Sequence, residues 1–495
     1  MESRDSQKVL IAGAGLGGIA LALRLAKRGF KVRIIEKNSQ AGGRLNQLKK
    51  DGFTFDTGPS FFSMSYEFTR FAEDCGITLP FKYYSLDPLY TVNFRGNPRT
   101  YFLYRDIKKL ADQFDEPYFA EKMERYLDKG KRLFEDTMDM VIRKNHDSLP
   151  EYIFHLAHVN PVHLPIIFRN FWQQVAHYFS SEEARQIISL VSFFLGRTPF
   201  DTSSVYTLLS YTEFRHDGYF NVEGGMYKII EGLLEELKKA GVEIIYNTEI
   251  AGYTQEGNKI NGLFDKNGKK WEADIYAING DAAVFRGKIL NRKEYSDEKL
   301  DRMEWTMGSL TMYLGLDCRL PGVNHHNYYL GSNFREYADK VFKNPEIMEK
   351  PYYYVNVLSS SNNDCAPEGC ESLFFVCPVP DLRFKKDWIN KDIIAGGIID
   401  DFSARIGKDI KPHIVSRTIY TPEDWRDQFN LHRGSGLGLS HKMLQIGGFR
   451  PKNQDEVFDN VYYVGASTIP GTGLPMVIIS SGLVAEKILS RYSFG

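Results

Sequence analysis

The residues able to do chemistry gather near the two ends of the chain. Close to the start, the apolar run Lys8 to Ala12 leads into Gly13-Ala14-Gly15-Leu16-Gly17-Gly18, and a second apolar run, Phe30 to Ile35, ends at Glu36. Gly13 permits a tight turn, Gly15 lets the backbone approach a pyrophosphate, and Gly18 lets the following helix pack closely on the first strand. That helix, Ile19 to Lys27 by its apolar spacing, turns its unpaired N–H groups and positive dipole end toward the phosphates. Glu36, about 20 residues past the glycines, stands where a carboxylate accepts from a ribose diol. Together these residues describe a site for an adenine dinucleotide. Gly42-Gly43-Arg44 tilts the choice from nicotinamide to flavin, because two glycines leave room beside the phosphates and a guanidinium fork suits a pyrophosphate.

At the far end, Asn460 to Gly465 reads as a strand, Pro470-Gly471-Thr472-Gly473-Leu474-Pro475 as a turn, and Met476 to about Leu489 as a helix. A strand feeding a helix through a glycine-rich turn presents unpaired N–H groups and a positive dipole end. In a flavoenzyme the useful place for them is the C2 carbonyl of the ring, since reduced flavin carries negative charge at N1 and C2=O. Stabilising that charge favours hydride uptake at N5.

Both ends must be brought together by the elements between them. Gly52 to Pro59 reads as a short strand and turn that carries Pro59-Ser60 close to the cofactor. Asp106 to Arg143 is strongly helical in pattern, and Leu149 to Phe179 is apolar and aromatic but interrupted by Pro161 and Pro165, so the middle block reads as a helical insert. Tyr219 to Met226 is a strand entering a glycine turn, Tyr227 to Ala240 a helix, and Val242 to Ile250 a strand. Hairpins follow at Glu256-Gly257-Asn258 and Asn267-Gly268, then a strand over Ala273 to Asn279. Strand-like runs at Leu310 to Leu316, Asn327 to Leu330, Tyr352 to Leu358 and Leu373 to Val376 imply a second sheet.

With 495 residues the chain exceeds one core and divides into two or three domains. The formal net charge of −1 gives no electrostatic footprint for nucleic acid. Five cysteines, with no C-x-x-C pair, argue against a disulfide framework or a zinc site and for a reducing cytoplasm, and no metal is expected. No segment reaches the roughly 18 to 20 apolar residues of a spanning helix. Aromatic residues make up 14% of the chain, with 34 Phe and 29 Tyr. That enrichment serves either an aromatic core or a cavity for a long apolar ligand.

Taken with Pro199 to Tyr206, Glu223-Gly224-Gly225-Met226, Ala366-Pro367-Glu368-Gly369-Cys370, Pro378-Val379-Pro380 and Phe449-Arg450-Pro451, these motifs make the chain resemble the bacterial-type carotenoid desaturases. These are FAD-dependent relatives of phytoene desaturase within the amine-oxidase-like flavoproteins. The resemblance covers nearly the whole length, and the motifs after residue 365 are narrower than the N-terminal ones, which many flavoproteins share. It implies an α/β fold with a Rossmann-like FAD-binding domain of amine oxidase/GDI type (residues 1–105, 216–300 and 450–495), a mixed-sheet substrate domain (301–449) and a helical insert (106–215).

The resemblance also implies the cofactor-binding set. Gly13, Gly15, Leu16, Gly17 and Gly18 would line the pyrophosphate, Glu36 and Lys37 the adenosine ribose, and Gly43 and Arg44 the phosphates. Pro59, Ser60 and Asn279 would lie near the cofactor, and Ile250 would meet the adenine through its backbone. Gly465, Ala466, Gly473, Leu474, Pro475 and Met476 would approach the ribityl chain and ring. Ser467-Thr468-Ile469 and Met476 depart from the family's usual pattern, so the flavin edge is expected to differ in shape.

The implied activity is removal of hydrogen from adjacent carbons of a polyene, a hydride to flavin N5 and a proton to an acceptor. Conjugation stabilises the developing cation, so the protein supplies mostly orientation and desolvation. Glu213 and Glu223, flanking a glycine turn expected to face the cavity, are the candidate proton acceptors. The chain as a whole looks most like 3,4-desaturases of hydroxylated carotenoids; phytoene desaturation and formation of a carotenoid aldehyde stay open, as does the electron acceptor. Ile166, Ile167, Phe168, Phe171, Trp172 and Val175 could form an apolar face for peripheral contact with the inner membrane surface or could pack inward. From other classes, a non-catalytic prenyl carrier of related fold would show a degraded flavin site, and an amine oxidase remains compatible with the fold.

Overall fold

In the computed structural model, residues 7–146, 148–346 and 351–492 are described, the side chains of Leu164 and Ile167 excepted. The first sheet has five parallel strands in the order Val461–Tyr463, Ile275–Ile278, Lys8–Ala12, Lys31–Ile35 and Glu243–Ile245. Three stretches far apart in sequence therefore share one sheet, with the N-terminal strand at its centre. Its strands are buried on both faces: the small antiparallel sheet carrying Ile260, Leu263 and Trp271, with Ala282 and Phe285, covers one, and helices cover the other. Helix Leu16–Ala26 buries Leu16, Ile19, Leu21, Leu23 and Leu25 against it, and the C-terminal helix Leu474–Tyr492 packs beside that helix.

The second sheet has seven strands in the order Ile414–Tyr420, Gly308–Leu316, Glu371–Val379, Tyr353–Val357, His326–Leu330, Tyr90–Phe94 and Thr100–Leu103. All neighbours are antiparallel except His326–Leu330 with Tyr90–Phe94. The sheet is mixed, as expected. It also recruits residues 90–103, which the sequence reading assigned to the cofactor domain: Tyr90 to Phe94 pairs in register with the strand after residue 325, so the change of sheet comes before residue 105.

The helical insert packs on the second sheet. Its long helix Phe119–Thr137 buries Met123, Tyr126, Leu127 and Leu133. At Gly130 the backbone of Thr207 approaches so closely that a Cβ would stand 2.7 Å from its carbonyl oxygen. Asn170 caps helix Phe171–Ala176 in a reciprocal box with Gln173. Two expected elements differ in extent. The first helix begins at Leu16 rather than Ile19, bringing its free N–H groups nearer Gly15. The run Val242 to Ile250 breaks after Ile245, where Asn247 takes a positive φ of 53°, and resumes as the hairpin strand Ile250–Glu256.

Candidate active site

The glycine turn folds around one side chain. Asn279, just past strand Ile275–Ile278, donates from Nδ2 to the Val464 carbonyl at 2.9 Å. Cβ atoms on Gly15 and Gly17 would come within 2.7 and 2.8 Å of its carboxamide. Gly13, at φ 106°, makes the turn, and a Cβ on Gly18 would collide with the Gly13 carbonyl. Gly13 and Gly18 thus shape the turn from beneath, while Gly15 to Gly17 form its open face.

Glu36 ends the second strand, buried, with its carboxylate accepting from Ala14 N at 2.7 Å and Asn38 N at 2.8 Å. Burial raises its pKa against the pull of those N–H groups. Lys37 departs from the expected role: its ammonium is held by the Asp427 carbonyl at 2.6 Å and Asn430 Oδ1 at 3.0 Å, so only its backbone remains for a cofactor. Ile250, half-buried at the start of its strand, lies with Glu36 and Lys37 outside the main cavity lining.

Arg44 lines the cavity, and among the described residues its side chain's one hydrogen bond is a long 3.4 Å approach to the Gly436 carbonyl. Burial lowers its pKa, opposed by the charge of Asp281. Among the described residues it makes no ion pair. A half-buried guanidinium beside a cradle of bare glycines fits the pyrophosphate of FAD.

The C-terminal turn is fastened by a residue that sequence reasoning noted only as part of a motif. Arg450 is fully buried and donates to the carbonyls of Ala466 (2.8 Å), Thr468 (3.0 Å), Gln445 (3.1 Å) and Leu439 (3.2 Å). Burial without a carboxylate partner brings its pKa down to about 10. Gly465 N donates to Ser480 Oγ, and Thr472 N to His441 Nε2. This holds Gly473 to Met476, the helix start, at the cavity wall.

One cavity of about 780 Å³ joins these parts. Gly15 to Gly17, Gly43, Arg44, Pro59, Ser60, Asn279, Gly465, Ala466 and Gly473 to Met476 all line it. From this end it runs between the second sheet, where Tyr328 and Tyr354 line it beside Tyr219, and the insert together with the segment after Lys442; there Leu156 and Met443 line it and also reach the surface. The aromatic residues therefore serve both purposes weighed from composition: Tyr328, Tyr337, Tyr352 and Tyr354 belong to a packed core and line the cavity.

Neither candidate base lines that cavity. Glu223 is exposed in a shallow surface depression with Lys82 and Lys228, because the turn Gly224-Gly225 faces Asp56 rather than the cavity. Glu213 is buried in a π-helical turn behind Tyr219 and Tyr328; burial raises its pKa to about 8, against a hydrogen bond from Tyr90. The proposed membrane face also turns inward. Ile166, Phe171 and Val175 are buried, Trp172 packs on Phe200 and Phe334, and only Phe168 projects; the Ile167 side chain lies outside the described residues. Asp317, Cys318 and His413 come together at the surface, away from the cavity lining. There Asp317 pairs with His413 at 2.8 Å and the Lys408 ammonium lies 3.1 Å from Cys318 Sγ.

The model of the family described as "Flavin containing amine oxidoreductase" matches residues 16–489. A phytoene desaturase of Fusarium fujikuroi is 32% identical, over 99% of this chain and 90% of its own. A carotenoid 3,4-desaturase of Haloarcula japonica is 28% identical over 99% of both chains. Among solved structures, an oxidoreductase of Methanosarcina mazei shares the fold with a TM-score of 0.64 at 18% identity, covering 97% of this chain and 100% of its own. The chain thus belongs to the flavin-containing amine oxidoreductases, as an FAD-dependent oxidoreductase related to the carotenoid desaturases.

Proposed function

We propose that this enzyme desaturates an acyclic carotenoid, and that its substrate is a 1-hydroxylated carotenoid end oxidised at the 3,4 bond. The observation that carries the desaturase reading is the apolar cavity running from the flavin cradle to the surface of the insert, a shape suited to a long polyene. The full-length match to a 3,4-desaturase supports the finer assignment. So does Tyr337, which lines the cavity and whose buried hydroxyl has no partner among the described residues, ready for a substrate oxygen. Phytoene desaturation is the second reading, favoured by the somewhat higher identity to the Fusarium enzyme.

FAD, when bound, supplies the hydride acceptor. The chain does the rest. Arg44 and the helix starts at Leu16 and Leu474 hold anionic groups, the Arg450 staple fixes the turn near the ring, and the aromatic walls exclude water and orient the polyene.

The substrate dissolves in lipid, and we place the cavity mouth against a membrane, on the cytoplasmic side that five free cysteines favour. Ile153, Phe154 and Leu444 are exposed beside Leu156 and Met443. Among the described residues no helix is long and apolar enough to cross a membrane. Incubating the flavin-loaded protein with phytoene, lycopene and a 1-hydroxylated carotenoid in liposomes, and following each by chromatography, tests the assignment. Loss of the hydroxylated carotenoid with gain of one double bond supports it; conversion of phytoene alone replaces it with the second reading.

A further inference from the structure

With both glutamates away from the cavity, the proton half of the reaction needs another acceptor. Asp281 is the one carboxylate among the described lining residues. It caps helix Ala282–Lys288 by accepting from Ala283 and Val284, and its charge faces Arg44 at the phosphate end. Asp56 receives the N–H of Met226 on both oxygens and lies outside the lining.

A different arrangement does reach the cavity. Ser60 and Tyr354 both line it, and their hydroxyls are 2.9 Å apart. Behind them His326 Nδ1 lies 2.6 Å from the same Tyr354 oxygen. The Asn356 amide also approaches Nδ1, at 3.4 Å. Two donors converging on one ring nitrogen make it the acceptor, which leaves the proton of a neutral imidazole on Nε2. Phe61 stacks on the ring at 3.9 Å and 19° and holds its plane. Adjacent strands fix the pair: His326 stands opposite Asn356, and Tyr328 opposite Tyr354. Among the described residues His326 Nε2 is buried with no partner, so no carboxylate of theirs orients this ring from behind.

We propose that Tyr354 and His326 form the proton-accepting relay of the desaturation, with Ser60 as the hydrogen-bonding partner that positions the phenol. The proposal rests on the desaturase reading. In the step, a substrate C–H bond breaks and its proton joins the Tyr354 oxygen as the phenol's own proton passes to His326 Nδ1. The electron pair left behind becomes the new C=C bond, and the hydride of the neighbouring carbon goes to flavin, the oxidant. The reverse shift through Tyr354 returns the proton to the cavity after product leaves. Burial holds His326 well below the ordinary histidine value, with His325 beside it adding to the effect, so the resting ring is neutral. A weak base suffices, because a C–H bond beside a delocalised cation is strongly acidic.

The test compares the parent with Tyr354→Phe and His326→Gln. It reads flavin absorbance, kcat and KM separately, and the isotope effect from substrate deuterated at the carbon that loses the proton. The expected result is full flavin content, KM within about twofold, kcat lower by about 100-fold as for loss of a general base, and a larger isotope effect in both variants. A parent that is active while both variants keep its kcat and isotope effect overturns the relay and leaves the desaturase reading standing. A flavin-loaded parent inactive on every carotenoid removes both. If Tyr354→Phe fails to hold flavin, His326→Gln, which does not line the cavity, decides alone.

Discussion

The carboxamide of Asn279 occupies the space that a Cβ on Gly465 would need, with Nδ2 only 2.7 Å from that position. Gly15 and Gly17 crowd the same side chain from the N-terminal turn. One asparagine from the middle of the sequence therefore locks the N-terminal and C-terminal glycine turns of the cavity wall to each other.

Gly465→Ala is expected to damage that lock twice, by the clash with Asn279 and by a backbone φ of 112° that a side chain strains. The cost is about 1–3 kcal/mol, typical of overpacking. Purified protein should show a lower melting temperature and a reduced ratio of flavin to protein absorbance; a variant with parental values on both would refute the role given to this contact.

Arg450 is the corresponding lock within the C-terminal turn. Arg450→Ala strands buried carbonyls at Leu439, Ala466 and Thr468, each unmade hydrogen bond costing about 1–3 kcal/mol. Arg450→Lys keeps the charge but cannot span the same acceptors. Thermal unfolding should rank parent above lysine above alanine, and dialysis against flavin-free buffer should strip the variants faster.

Glu213 gives a pH signature. Its pKa rises from 4.5 in the unfolded chain to about 8 in the fold, through burial. A raised carboxyl pKa contributes stability that is complete below the unfolded value and is lost as pH climbs through the folded one. Glu213→Gln removes that dependence, so its melting temperature should gain on the parent steadily from pH 5 to pH 8. A constant difference across this range would mean that Glu213 is not held protonated.

At the cavity mouth, Ile153→Asp combined with Phe154→Asp should reduce co-sedimentation with liposomes about tenfold or more, because two exposed apolar side chains are replaced by charges. Flavin content and turnover of detergent-dispersed substrate should stay parental. Unchanged co-sedimentation would move the membrane contact elsewhere.

The cofactor half was legible in the sequence because its signals are local: glycine spacing, a carboxylate at a strand end and a turn before a helix each declare themselves within a few residues. Three relationships were not. Asn279 is an expected cofactor residue and Arg450 part of a motif, but the contacts by which they fasten the turns are long-range, and no short motif specifies them. The insert's apolar residues could not be sorted into inward and outward sets, since Pro161 and Pro165 break its periodicity into short helices. Tyr354 and Ser60 are 294 residues apart and meet only because the turn after strand Phe53–Asp56 reaches the second sheet. The run of three tyrosines, Tyr352 to Tyr354, at the start of strand Tyr353–Val357 was the available sign that this strand lines something.

The central claim, that FAD in this cradle oxidises a polyene lying in the adjoining cavity, is tested most directly by expressing the chain in cells that accumulate successive carotenoid intermediates and identifying which pigment disappears. The account predicts loss of one acyclic carotenoid, the 1-hydroxylated one foremost, with appearance of a product two hydrogens poorer and absorbing at longer wavelength. Folded, flavin-loaded protein that leaves every pigment unchanged would contradict it.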